Sequence, residues 1–177
     1  KYKISPEKDV DCLNPINVSK VISGDDDGFA PCTPAAVIEI LDYYGIKVEG
    51  KRTVVIGRSM VVGRPLAMML LARNATVTIC HTRTTNLADE TKKGEILVAA
   101  AGKAKMVTED MVNSGAVVID VGINFDESGK MCGDVDFDSV HPVAGSITPV
   151  PGGVGAVTST VLAKHVIEAL KLQQGIY

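Results

Sequence analysis

The chain has 177 residues, 46% hydrophobic and 22% charged, which suits one globular domain of α/β size with a sizeable core. A formal charge of −3, 4% aromatic residues and no Trp supply neither the basic footprint nor the stacking platform of a nucleic-acid binder, so no nucleic-acid partner is expected. No apolar run approaches the roughly 18 residues that cross a bilayer and no signal peptide opens the sequence, so no membrane partner is expected either.

The sequence opens on Lys1 and runs at once into Tyr2-Lys-Ile-Ser-Pro6-Glu-Lys-Asp-Val10, which reads as an entry into the middle of a longer chain. Residues 1–32 are polar and turn-rich, and Asp25-Asp-Asp-Gly28 reads as a solvated loop rather than a metal site. Pro34 then suits a first helical turn behind Thr33 as N-cap. Val37, Ile38, Leu41 and Tyr44 follow at helical spacing, and Gly45 reads as the C-cap.

From Lys51 onward apolar runs alternate with helix-compatible stretches. The runs are Val54–Ile56, Ala75–Cys80, Ile96–Ala101 and Val117–Val121, with a shorter candidate at Ile147–Val150. Between them lie Pro65–Arg73, Asn86–Lys93 and Thr108–Asn113 as helices. Asn124–Asp136 is polar and glycine-containing, a hairpin or an excursion, and a last helix is expected from about Val157 to Gln173. Continuous apolar strands alternating with helices imply an α/β fold whose mostly parallel sheet is covered on both faces. Such sheets bind ligands at the carboxyl ends of their strands.

Cys12, Cys32, Cys80 and Cys132 lie far apart with no C-x-x-C spacing. Reduced thiols in a cytoplasmic setting are expected, without a zinc site or other metal. His81, at a strand end, reads as a packing or hydrogen-bonding residue; His141 and His165 carry no functional signal.

The most informative segment is Thr53-Val-Val-Ile56 leading into Gly57-Arg-Ser-Met-Val-Val-Gly-Arg-Pro65 and then Leu66–Leu71. A strand, a glycine turn and a helix start make an anion site, because the first helical N–H groups are unpaired and the macrodipole is positive there. Gly57 permits the turn and Gly63 a close approach of helix to strand. Ser59 replaces the second glycine of the usual dinucleotide fingerprint, and the spacing is longer. About 20 residues on, where NAD enzymes carry a ribose-binding acid, stands Cys80-His-Thr-Arg-Thr84. Thr82 and Arg83 there, with Arg58 in the turn itself, suit a 2′-phosphate, so NADP is favoured over NAD.

Several segments together resemble one family, the bifunctional methylenetetrahydrofolate dehydrogenase/cyclohydrolases of the FolD type. They are Pro6–Asp11, Pro31-Cys-Thr-Pro34, Val55–Ser59 with Val62-Gly63, Asn74–Thr78 leading to Cys80-His81, Val118–Asn124, Gly133–Phe137 and Ile147–Gly155. The resemblance implies a Rossmann-like, doubly wound fold, a homodimer, and a place in one-carbon folate metabolism and purine biosynthesis. It implies NADP-dependent oxidation of 5,10-methylenetetrahydrofolate, then hydrolysis of the methenyl product to 10-formyltetrahydrofolate. On this basis Gly57, Arg58, Ser59, Gly63, Thr82 and Arg83 would bind the cofactor, and Ile123 and Thr158 would line its nicotinamide end. Asp11 would accept hydrogen bonds from the pterin ring of a tetrahydrofolate derivative, while Pro151, Gly152 and Gly153, in a loop running to Gly155, would close over folate and cofactor.

The same resemblance divides the chain into residues 1–32 (end of a folate domain and linker), 33–45 (connecting helix), 46–156 (NADP-binding domain) and 157–177 (a C-terminal helix returning toward that folate domain). The family's catalytic tyrosine and lysine would precede Lys1, so no catalytic residue is assigned here and the 177 residues alone are expected to be inactive as a cyclohydrolase. Tyr43-Tyr-Gly-Ile-Lys47 repeats their spacing by coincidence. Cys12-Leu13 and Ala156-Val157 depart from the family pattern, the first with an expected effect on the turn after Asp11. The apolar faces of helices 34–44 and 157–173 are expected to be partly bare. Two other readings stay open: another NADP-dependent oxidoreductase, and a dinucleotide-binding module inactive on its own.

Overall fold

The computed structural model describes residues 3–25 and 27–176, so residue 26 of the Asp25–Gly28 loop and the opening Lys1-Tyr2 lie outside the described residues. Five parallel strands form the sheet: β1 (Arg52–Ile56), β2 (Thr76–Cys80), β3 (Ile96–Ala99), β4 (Val117–Asp120) and β7 (Ser146–Ile147), in spatial order β2-β1-β3-β4-β7. The order reverses beside β1, where crossovers leave to both sides. This is the Rossmann-like arrangement, in which a crevice opens at the carboxyl edge.

Burial follows from the strand period of two. Val55, Val98 and Ile119 point to one face and meet α2 (Cys32–Tyr43), α3 (Gly63–Ala72) and α6 (Val154–Gln174) through Val37, Leu41, Leu66, Leu70, Val154 and Val161. Val54, Ile56, Leu97 and Val118 point to the other. There they meet α4 (Leu87–Thr91), a 3-10 turn at Glu109–Met111 and α5 (Phe137–Val140) through Leu87, Met111 and Val140. An antiparallel hairpin, β5 (Asn124–Phe125) with β6 (Met131–Cys132), occupies the Asn124–Asp136 excursion. No helix among the described residues is long and apolar enough to cross a membrane.

The structure corrects several expectations. The polar opening is not merely turns: α1 spans Pro15–Ser23, with the Asn14 side chain accepting from Ile16 N–H and Pro15 in the first turn. Buried Asp9 anchors it by accepting from the N–H groups of Leu13 and Asn14 and from Asn17 Nδ2. Helix α2 begins at Cys32, two residues before Pro34, because the Asp11 carboxylate, not Thr33, takes the Cys32 N–H. It ends at Tyr43 with Tyr44, not Gly45, as its C-cap, and Gly45 follows at φ +65.

Thr108–Asn113 shrinks to the single 3-10 turn, α4 is shorter than Asn86–Lys93, and β7 is shorter than Ile147–Val150. Helix α6 begins at Val154, so Val154 and Gly155 belong to its first turn rather than to a loop. Helix α2 is not bare. Ala36, Val37, Ile38, Ile40 and Leu41 are all buried, because α6 and the sheet cover it, and Tyr43 and Tyr44 alone of its large apolar side chains are exposed. Helix α6 does keep a partly bare stripe of Leu162, Val166, Ile167 and Leu170.

Thr53 in β1 is fully buried, and its Oγ1 finds no hydrogen-bond partner among the described residues. An unpaired buried hydroxyl costs about 1–3 kcal/mol, whereas valine keeps the shape and the β-branching. Thr53→Val should therefore raise unfolding stability by about 1 kcal/mol in a urea titration. A lower midpoint would mean that the hydroxyl has a partner.

Candidate functional site

The turn after β1 is set by two backbone collisions that glycine alone avoids. Gly57 lies at φ +123, and a Cβ there would stand 2.1 Å from the Ala100 carbonyl oxygen. At Gly63, the first residue of α3, a Cβ would stand 2.2 Å from the Gly57 carbonyl oxygen and 2.9 Å from Arg58 N. The start of α3 therefore touches the end of β1. The expected unpaired N–H groups at the helix start are not there: all are taken within the chain, since Pro65 has no N–H and Leu66 N donates to the Val62 carbonyl (3.0 Å). Ser59 Oγ accepts from Val62 N (3.0 Å) and Gly63 N (3.4 Å), and the Ser59 carbonyl accepts from Arg64 N (3.1 Å). The N–H groups of Arg58, Ser59, Met60 and Val61 take no partner among the described residues. These four, in the turn before α3, are the donors left for an anion. Arg64 Nε donates to the Arg58 carbonyl, bracing the turn from outside.

Beside it, the turn after β2 is built on His81, as the hydrogen-bonding role implies. His81 N donates to Thr84 Oγ1 (2.9 Å), Arg83 N donates to His81 Nδ1 (3.2 Å) and Thr84 N donates to the His81 carbonyl (2.8 Å). Thr82 and Arg83 are left exposed at its tip. Ile56 and Cys80 are paired neighbours in the sheet, so Arg58 and Arg83 follow adjacent strand ends. Neither guanidinium makes an ion pair among the described residues.

The far end of the edge is organised by two buried carboxylates that no sequence reading assigned. Asp134, fully buried, accepts from Ala101 N (2.5 Å), Gly102 N (2.9 Å), Lys103 N (2.9 Å) and Asn124 Nδ2 (2.8 Å), fixing the loop after β3. Asp120, at the end of β4, accepts from Gly122 N (2.9 Å), Asp134 N (3.0 Å) and Val135 N (2.9 Å). Burial raises the Asp120 pKa above the ordinary carboxylate value, against the pull of those N–H groups. The native state then holds a proton that the unfolded chain releases. Asp120 therefore withdraws stability as pH rises from the ordinary carboxylate value through the raised one. A carboxylate closing the apolar run Val117-Val-Ile-Asp120 was the available signal.

Next to Asp120, a cavity of about 230 Å³ is lined by Gly122, Ile123 and Met131 and by Pro149–Ala156, which brings Ile123 together with Pro151, Gly152 and Gly153. The Val150–Pro151 peptide is cis. Thr158 lies in the second turn of α6, outside that lining, with its hydroxyl on the Val154 carbonyl. From β2 to β4 the edge spans three strand spacings, ~14 Å, a run fit for an extended dinucleotide.

Asp11 is not in this cavity. It sits at the start of α2, where its Oδ1 accepts from Cys32 N at 2.9 Å, near the middle of α6. The departure at Cys12 does not abolish the turn: Cys12 adopts φ +57 and is buried, keeping a backbone shape that glycine would hold without strain. Burial, then the nearby Asp9 and Asp11 charges, push its thiol up to about 12. All four cysteines are free and buried. Among the described residues no group of three or more His, Cys, Asp or Glu side chains could hold a metal ion.

Fold and edge together define a Rossmann-like dinucleotide-binding domain. The comparisons narrow it further. Residues 31–174 match the model of the tetrahydrofolate dehydrogenase/cyclohydrolase NAD(P)-binding domain, and the chain belongs to that family. It is 62% identical over 177 residues to the bifunctional protein FolD of Alkaliphilus oremlandii, covering 100% of this chain and 62% of that protein. It is similar to the crystal structure of the bifunctional FolD methylenetetrahydrofolate dehydrogenase/cyclohydrolase from Campylobacter jejuni (TM-score 0.95, 45% identity, 97% of this chain and 61% of that one). It is also similar to the Trypanosoma brucei FolD complexed with NADP cofactor and inhibitor (TM-score 0.90, 42% identity, 97% and 61%). The chain thus spans about three fifths of the length of the relatives it matches.

The glycine collisions give a direct test. Gly63→Ala should cost about 1–3 kcal/mol of stability, because backbone rather than a flexible side chain must yield, and NADP binding measured by calorimetry should be lost with it. Gly155→Ala, whose Cβ would meet Ile123 Cδ1 at an ordinary 3.7 Å, should leave stability level or slightly higher. Equal effects at the two positions would refute the collision argument.

Proposed function

We propose that this chain is the coenzyme-binding part of an NADP-dependent 5,10-methylenetetrahydrofolate dehydrogenase, in a protein that also hydrolyses the methenyl product to 10-formyltetrahydrofolate. One observation carries the choice of coenzyme. Two guanidinium groups that make no ion pair among the described residues, Arg58 and Arg83, follow neighbouring strand ends, with Thr82 next to Arg83 and no carboxylate in Cys80–Thr84. A ribose 2′-phosphate is attracted there, and a free 2′-hydroxyl loses nothing when the arginines are removed. The free N–H groups of residues 58–61 would take the pyrophosphate, and Gly57, Ser59 and Gly63 would shape the turn that presents them.

In this reading Ile123 and Thr158 bound the nicotinamide end, and Pro151–Gly153 hold the folate bridge carbon against the ring. When bound, NADP supplies the hydride acceptor; the chain supplies position and exclusion of water. Asp11 accepts from the pterin ring. Its Oδ1 already takes the Cys32 N–H, which leaves Oδ2 and one lone pair of Oδ1 for the ligand. Hydrolysis needs a proton-transfer group at the methenyl bridge; the titratable group lining the cavity beside Ile123 is Asp120, whose two oxygens are taken by three backbone N–H groups, so the 177 residues alone are expected not to hydrolyse.

The reading carries the division of the chain at 1–32, 33–45, 46–156 and 157–177. The bonding around Asp9 ties residues 9–17 together within the first of those segments. It also carries a cytoplasmic setting, supported by the unpaired cysteines, and a role in one-carbon supply to purine biosynthesis. A homodimer through the nucleotide domain is part of it, supported by the exposed Tyr43 and Tyr44.

Calorimetry with NADP, NAD and folic acid tests the proposal. Arg58→Ala and Arg83→Ala should each weaken NADP about tenfold or more and leave NAD unchanged, as loss of a charge-assisted hydrogen bond requires. Equal losses for the two coenzymes would overturn the NADP assignment, and NADP binding without folic acid binding would favour another oxidoreductase. In sedimentation velocity the chain should run as a dimer; a clean monomer at high concentration would remove that part.

A further inference from the structure

His165, halfway along α6, is 8% exposed and takes no part in the coenzyme edge. Its Nδ1 stands 2.9 Å from the Val10 carbonyl oxygen. A carbonyl can only accept, so Nδ1 carries the hydrogen and the ring donates. Cys32 Sγ reaches the same oxygen at 3.4 Å and lies 3.7 Å from Nδ1. Burial, and then the neighbouring Asp11 carboxylate, push that thiol up to about 12, so it keeps its proton and donates as well. The Phe29 ring closes the cluster, 5.3 Å from His165 between centroids.

The peptide held in this way leads directly into Asp11. Its carboxylate is pinned in turn through Oδ1 to Cys32 N, while Oδ2 takes no partner among the described residues. Three separate segments therefore meet at one peptide: the opening chain, the start of α2 and the middle of α6. Helix α6 begins at Val154 beside the Pro151–Gly153 cavity, and eleven residues of helix to His165 advance ~16 Å. The helix acts as a rigid spacer between that cavity and Asp11.

We propose that His165 is a positioning residue for Asp11: by clamping the Val10 carbonyl to α6 it fixes the Asp11 carboxylate at the start of α2, one oxygen left to accept from the amino-heterocycle of the substrate. The ligand's identity as a folate rests on the function proposed above; the clamp does not.

Substitutions at His165 separate a donor from a filler. His165→Asn places an amide nitrogen where Nδ1 stood, whereas His165→Leu fills the space without a donor. In the 177-residue chain, His165→Leu should speed amide hydrogen exchange at Cys32 by about tenfold and weaken folic acid binding by a similar factor, with NADP affinity unchanged. His165→Asn should restore both. A side chain that merely packs would give the reverse order, with Leu tolerated and Asn not. Should His165→Leu fail to fold, His165→Gln replaces it, since its amide falls where Nε2 was and misses the Val10 carbonyl. Unchanged Cys32 exchange in a folded Leu or Gln variant overturns the proposal. A parent chain that takes up no folic acid, with Cys32 exchange responding as expected, upholds the clamp and counts against the folate reading alone.

Discussion

Gly57 and Gly63 hold backbone against backbone at the carboxyl end of β1, and an added carbon at either would come within about 2.2 Å of a carbonyl oxygen. The rest of the site depends on that contact. Because α3 starts so close to the strand, the intervening residues are exposed, and the N–H groups of Arg58 to Val61 find no partner among the described residues. Unpaired donors in the turn before a helix are a standing cost when solvent alone satisfies them, and an anion offsets it. Binding is thus the other face of a packing requirement.

The opposite half of the edge uses a different device. Asp120 and Asp134 are buried and pair with no cationic side chain among the described residues; backbone N–H groups of the loops they organise bond them instead. Charge-assisted bonds to several amides can hold a carboxylate in a dry interior where an unpartnered one would not survive. Gly122 and Gly133 belong to the same arrangement, since a Cβ at either would run into the facing aspartate. Two glycine contacts and two carboxylates fix the crevice floor from β2 to β4.

Helix α6 joins this edge to Asp11. Its inner side packs on α2 and the sheet through Val154 and Val161, and its outer stripe of Leu162, Val166, Ile167 and Leu170 is half bare. An apolar stripe of that length invites cover. The relatives this chain matches are longer, with about two fifths of their length outside the match.

Much of the fold was legible from residue order. The strands at Val54, Ala75, Ile96 and Val117, the helices after the first two of them and the glycine turn are local matters of periodicity, branching and steric allowance, and each lies within a few residues of where the pattern put it; the helix expected at Thr108–Asn113 does not form. The family, too, was written in short segments. Helix α1 was also signalled locally, by Asn14-Pro15, by Ile16, Val18, Val21 and Ile22 at helical spacing and by Gly24, yet the acidic and turn residues on both sides of it made the whole opening read as loop. What residue order could not decide was anything whose partner lies far along the chain. Asp11 caps α2 across 21 residues, Asp134 gathers a loop more than thirty residues away, and His165 reaches Val10 across 155. Each is an isolated polar side chain with no local period, and its worth comes from desolvation and from the donors or acceptors that tertiary folding brings to it. Local sterics and patterning reside in the sequence itself; the buried polar contacts that fix loops and carboxylates exist only once distant segments share one dry interior.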